Sequence, residues 1–152
     1  MKHKPLIVVA DDEELIVDLI CVALEPLDCT VETLDDGFAV IDMVTLKRPD
    51  LIILDCSMPG LSGVDVLRQI RASDECFMTP VLMLTGRRAA ADETIARRAG
   101  ANSYMRKPFD QVDLLARVEF ILSETEARAE RDFIPKPMKI IEPASRRSIT
   151  LA

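Results

Sequence analysis

Residues 51–60 read LIILDCSMPG. Four apolar residues in succession, Leu51 to Leu54, leave no face for water. They predict a strand covered on both sides, as in the middle of a parallel sheet. Asp55 ends the run, and Met58-Pro59-Gly60 breaks the chain into a loop. The bland explanation is an acid that hydrogen-bonds its own turn, which Asp favours. The alternative is an acid placed in a site, and its surroundings must decide.

Working outward, the chain alternates between two patterns. Short apolar runs at 6–10, 30–34, 51–55, 81–84 and 102–105 predict strands. Helices are expected at 14–25, ended by Pro26, at 38–46 after the Asp36-Gly37 turn, at 64–72, at 90–99, and from 111 to about 128. Gly100 stands where a left-handed helix terminator belongs. Strand-then-helix five times implies an α/β fold, a parallel sheet with helices on both faces and right-handed crossovers. Such sheets carry their sites at the carboxyl ends of the strands.

Composition narrows the partners. At 152 residues, 49% hydrophobic and 30% charged, the chain suits one ordinary globular domain with an appendage. A net charge of −7 argues against a nucleic-acid surface, which needs clustered Lys and Arg. No apolar run approaches a membrane span. The start, MKHKPLIVVADDEE, is no secretory signal, and Cys21, Cys29, Cys56 and Cys76 with the single His3 make no zinc pattern. Reduced thiols and a cytoplasmic location are expected. Cys56, beside Asp55, reads as a small filler rather than a redox centre.

The carboxyl ends answer the question of Asp55. Asp11 and Asp12 follow the first strand, Asp55 ends the third, Thr85 follows the fourth, and Lys107-Pro108 follows the fifth. Three carboxylates brought together repel, and one takes up a proton unless a cation joins them. An all-oxygen donor set without His or thiolate selects a hard ion, and Mg²⁺ fits it better than Ca²⁺. Asp55 beside a metal and a lysine is a plausible nucleophile for a phosphoryl group.

These residues resemble the response-regulator receiver domain of bacterial two-component signalling. The matching elements are Asp11-Asp12, Asp36-Gly37, PDLIILD at 49–55, MPGLSG at 58–63, PVLMLT at 80–85, and Lys107-Pro108-Phe109. They stand in order and at family spacing over about residues 5–122, expected as the receiver domain, with 123–152 as an extension lacking a domain of its own. The resemblance implies a flavodoxin-like (βα)5 sheet of order 2-1-3-4-5. It also implies that Asp55 accepts a phosphoryl group from a histidine kinase or histidine phosphotransferase. Asp12, Asp55 and the Ser57 carbonyl are implied as Mg²⁺ ligands, with Asp11 acting through water. Thr85 and Lys107 would hold the phosphoryl oxygens, Tyr104 would move with Thr85, and Ser57 and Arg87 would tune the lifetime. A cis Lys107–Pro108 bond goes with the family.

Phosphorylation is then expected to bias the face formed by the fourth helix, fifth strand and fifth helix toward a protein target or a homodimer. On the last helix, Leu114, Leu115, Val118, Ile121 and Leu122 form the core stripe, and Val112, Ala116 and Phe120 fall on the other side. An outward Phe is either an ordinary exposed apolar residue or part of a contact. On the first helix, Ile16, Ile20 and Leu24 are either buried or partner-facing.

After residue 122, SETEARAERD reads as a charged continuation of the last helix. FIPKPMKIIEP, with three prolines, breaks any helix. This tail could be a linker, a docking arm or a strap over Phe120. Two functions compete: a stand-alone phosphorylation-controlled regulator, and the receiver of a longer regulator with a DNA-binding or enzymatic output. An enzyme of the aspartate-nucleophile phosphatase kind would need a second acid where Ser57 stands.

Overall fold

The computed structural model describes residues 3–86 and 90–132. The chain divides into two units after Leu122. The first contains five strands, β1 (Leu6–Ala10), β2 (Thr30–Leu34), β3 (Leu51–Asp55), β4 (Val81–Thr85) and β5 (Ser103–Arg106). Between them run α1 (Glu14–Ala23), α2 (Gly37–Lys47), α3 (Gly63–Ala72) and α4 (Ala90–Ala99), and α5 spans Gln111–Asp132. All neighbouring strands are parallel, in the order β2-β1-β3-β4-β5. That is the sheet expected. Arg87 and residues 133–152, with the expectations placed on them, lie outside the described residues.

Period-two alternation splits the core between the two faces of the sheet. Val8, Ile52, Leu54 and Met83 pack with Val40 and Val44 of α2, Val66 and Ile70 of α3, and Ala96 of α4. Ile7, Val9, Ile53 and Leu82 pack on the other face with Ile20 of α1 and Leu114 and Val118 of α5. β3 and β4 are buried at every residue, whereas edge strand β2 has none fully buried and two exposed. Continuous apolar runs therefore mark the centre of the sheet, as the quoted stretch predicts.

Several boundaries differ from expectation by a residue or two. α1 stops at Ala23 rather than 25, because the Glu25 N–H bonds the Val22 carbonyl three residues back at 3.2 Å, a tightened turn in place of the next helical bond. Thr85 is the last residue of β4, not the residue after it, since it pairs with Arg106. Asn102 stands just before β5, where its side chain accepts from the Val81 N–H at 2.8 Å. Gly100 has φ +108°, the left-handed terminator expected. Among the described residues, no helix is long and apolar enough to cross a membrane.

Candidate functional site

The carboxyl ends of β1, β3 and β5 bring three acids and a lysine together. Asp11 follows β1 and Asp55 closes β3, both buried; Asp12 is exposed on the loop between β1 and α1. One carboxylate oxygen from each lies within 4.8 Å of the others. An Asp pair opening a helix is ordinarily a cap. Here the N-cap of α1 is Glu13, which makes no side-chain capping bond. Asp11 instead turns inward, its Oδ1 accepting from the Glu13 N–H at 2.9 Å.

Lys107 reaches this cluster from the far side of the sheet. Its N–H donates to the Thr85 carbonyl at 2.7 Å, and the Lys107–Pro108 bond is cis. Its Nζ lies 2.7 Å from Asp11 Oδ2, 3.2 Å from Asp55 Oδ1 and 3.2 Å from Glu13 Oε1. Asp12, Glu13, Asp55, Ser57, Thr85 and Lys107 line a cavity of about 360 Å³.

The loop after β3 is shaped to hold Asp55 at the cavity floor. The Cys56 N–H continues the ladder to Leu84 at 2.9 Å, and the Gly63 N–H returns to the Cys56 carbonyl at 3.0 Å. A Cβ at Gly63 would collide with the Asp55 carbonyl, so only glycine lets the first turn of α3 close on the strand end. The Ser62 side chain caps that turn, accepting from the Asp65 N–H at 3.3 Å.

Electrostatics set this corner apart. Burial, then the charge of Asp11, pushes the Asp55 carboxyl up from 3.8 to about 6, against the pull of Lys107. Burial opposes the charge on Lys107, but its close ion pair with Asp11 and the charge of Asp55 outweigh this and raise its pKa. One ammonium does not neutralise three carboxylates. The excess negative charge and the all-oxygen donor set fit a hard divalent cation such as Mg²⁺. Burial raises the Cys56 thiol, which suits a protonated filler.

Thr85 is buried at the end of β4, and Tyr104 is buried in β5, in register with Met83. Among the described residues the Tyr104 hydroxyl has no hydrogen-bond partner at ordinary geometry, yet Thr85 lies near enough to offset part of the rise that burial causes in its pKa. Ser57 is exposed at the cavity, its main chain bonding the Asp55 carboxylate. Val112, Ala116 and Phe120 share the exposed side of α5 and line no part of the cavity. Leu114, Val118 and Ile121 face the core, with Leu115 and Leu122 half-buried. Ile20 and Leu24 are buried and Ile16 half-buried, so the exposed apolar side of α1 is Leu15, Leu19 and Val22 instead. Sequence reasoning missed Glu13: it stands out only as a third acid in a run, and its partner lies 94 residues away.

The chain is similar to known proteins in sequence and in fold. Residues 7–119 match the family model of the response regulator receiver domain. The alkaline phosphatase synthesis transcriptional regulatory protein PhoP of Bacillus subtilis is 39% identical over 123 residues, 81% of this chain and 50% of that protein. The signal receiver domain of a LuxO repressor protein from Vibrio parahaemolyticus superposes with a TM-score of 0.80 at 22% identity, over 86% of this chain and 98% of that one. The receiver domain of a Pseudomonas aeruginosa sensor histidine kinase, with a magnesium ion coordinated in its active site cleft, gives 0.73 at 26% identity, over 80% and 99%. The chain spans about half the length of the curated relatives it matches. Sheet order, motif order and these matches together make the chain a member of the response regulator receiver domain family of two-component signalling.

Proposed function

We propose that this receiver accepts a phosphoryl group on Asp55 from a histidine kinase or histidine phosphotransferase and thereby switches a protein-binding surface. The observation that carries the reading is the meeting of Asp11, Asp12 and Asp55 within 4.8 Å under the Lys107 ammonium. Asp12, Asp55 and the Ser57 carbonyl would hold Mg²⁺ directly, with Asp11 through a water. The magnesium in the related kinase receiver supports this assignment. Bound there, Mg²⁺ would offset the negative charge on the transferring oxygens.

The chain's own residues supply the rest. An Asp55 carboxylate oxygen attacks phosphorus, and the bond to the donor's histidine nitrogen breaks with its electron pair left on the ring. Lys107 and the Thr85 hydroxyl hold the transferring oxygens. Drawing Thr85 toward the phosphoryl group opens space beside Tyr104, which biases the face formed by α4, β5 and α5. Val112, Ala116 and Phe120 are the candidates for a target or homodimer contact beside it. Ser57 leaves the mouth open to attacking water, and Arg87 is its counterpart in setting the phosphoryl lifetime. The protein acts in the cytoplasm as a switch, not as an enzyme on other substrates. Residues 5–122 are the receiver unit and 123–152 an appendage.

A second reading is favoured by the half-length match to a transcriptional regulator: the receiver controls a DNA-binding output in a longer protein. Incubation with Mg²⁺ and acetyl phosphate, followed by intact mass and size exclusion, tests the first. One added phosphate, absent in Asp55→Ala, is expected. No phosphate on wild type, or the same gain in the variant, removes Asp55 from the role.

A further inference from the structure

We infer that Glu13 is a positioning residue for the transfer: it parks the Lys107 ammonium at the cavity mouth and competes for it with the phosphoryl group. The inference rests on the proposed phosphoacceptor role of Asp55. An ammonium carries three donors, and three carboxylates surround this one, Asp11 at 2.7 Å, Asp55 at 3.2 Å and Glu13 at 3.2 Å. Two of them belong to the cluster suited to a cation and the phosphoryl group; Glu13 stands outside it. Its side chain is 62% exposed, against 1% for Asp11 and 6% for Asp55, so Glu13 pulls Lys107 outward while the others pull it inward. The Glu13 main chain is tied to Asp11, which keeps its carboxylate at the rim.

With acetyl phosphate as donor, an Asp55 oxygen bonds phosphorus and the phosphorus–oxygen bond to acetate breaks. The electron pair leaves on acetate, and no proton moves. Charge develops on the phosphoryl oxygens, and Lys107 must turn to them. The contact with Glu13 is made before transfer and given up during it. An interaction present only in the ground state raises the barrier. Glu13 forms and breaks no bond itself.

The test compares wild type with Glu13→Gln and Glu13→Asp at saturating Mg²⁺, following phosphate gain by intact mass across a range of acetyl phosphate. Glu13→Gln is expected to raise the plateau rate about two- to fivefold, the most an exposed pair is worth, with half-saturation unchanged. Glu13→Asp keeps the charge but shortens the reach, and is expected to behave like Gln. A Glu13→Asp variant that stays at the wild-type rate, or a Gln effect confined to half-saturation, would mean that Glu13 merely repels the anionic donor, and overturns the inference. Equal plateau rates in all three proteins overturn it alone. Absence of phosphate on wild-type Asp55 overturns the phosphoacceptor reading and this inference together.

Discussion

Two cations stand at opposite ends of the same sheet and are held in contrary ways. At the carboxyl end, Lys107 sits among Asp11, Asp55 and Glu13, with too much negative charge for one ammonium. At the amino end, the half-buried guanidinium of Arg71 meets, among the described residues, only neutral oxygens. Its Nε donates to the Gly100 carbonyl at 3.0 Å, its Nη1 to Phe77 and Thr79 at 3.0 and 2.7 Å, and its Nη2 to Asn102 Oδ1 at 2.8 Å. Gly100 makes room for it, since a Cβ there would stand 2.9 Å from Arg71 Nε. Arg71 thus ties α3 to the turns before β4 and β5. One end satisfies its polar groups and holds the fold; the other leaves charge uncompensated and is poised for a ligand.

The largest way to break this comparison is to remove the brace. Arg71→Ala loses four hydrogen bonds and strands half-buried carbonyls, so urea denaturation is expected to show a loss of about 3 kcal/mol. Phosphate gain on Asp55 should persist at a temperature where the variant is folded. Loss of phosphorylation in a fully folded variant would show that the two ends are not separate.

The opposite sign is expected at the site. Asp55 has its carboxyl raised from 3.8 to about 6 in the fold, so the folded state binds its proton more tightly. Its stabilising contribution is present in full below pH 3.8 and is lost as pH rises through about 6. In metal-free buffer at pH 8, Asp55→Asn should therefore be more stable than wild type by on the order of 1–2 kcal/mol. The gain should shrink to nothing near pH 4. Urea midpoints across this range check it, and a destabilised Asn variant at pH 8 would sink the idea of stored repulsion.

The smallest effect sharpens the contrast. Among the described residues the Tyr104 hydroxyl makes no well-formed hydrogen bond, with Thr85 its nearest partner, so Tyr104→Phe should move stability by no more than about 0.5 kcal/mol. A thermal melt of the two proteins decides this, and a large loss would reveal a hydroxyl contact formed in solution.

Most of the fold was legible in the residues themselves. Apolar runs at 51–54 and 81–84 marked the central strands, turn residues such as Asp36-Gly37 and Gly100 marked the breaks, and Asp11, Asp12, Asp55, Thr85 and Lys107 fell at strand ends. These signals are local, because periodicity and turn chemistry act over a few residues. Which side of α1 faces the core was not legible, since that helix is apolar nearly all round and only packing chooses Ile20 and Leu24 over Leu15 and Leu19. Nor were the partners of the two cations. Glu13 and Lys107 are 94 residues apart, and Arg71 and Asn102 are 31 apart. Such pairs exist only once crossovers stack the strands in the order β2-β1-β3-β4-β5. By itself the sequence determined the elements and the chemistry at their ends; the tertiary structure alone decided which charges meet, because charge pairing depends on distance in space and not along the chain.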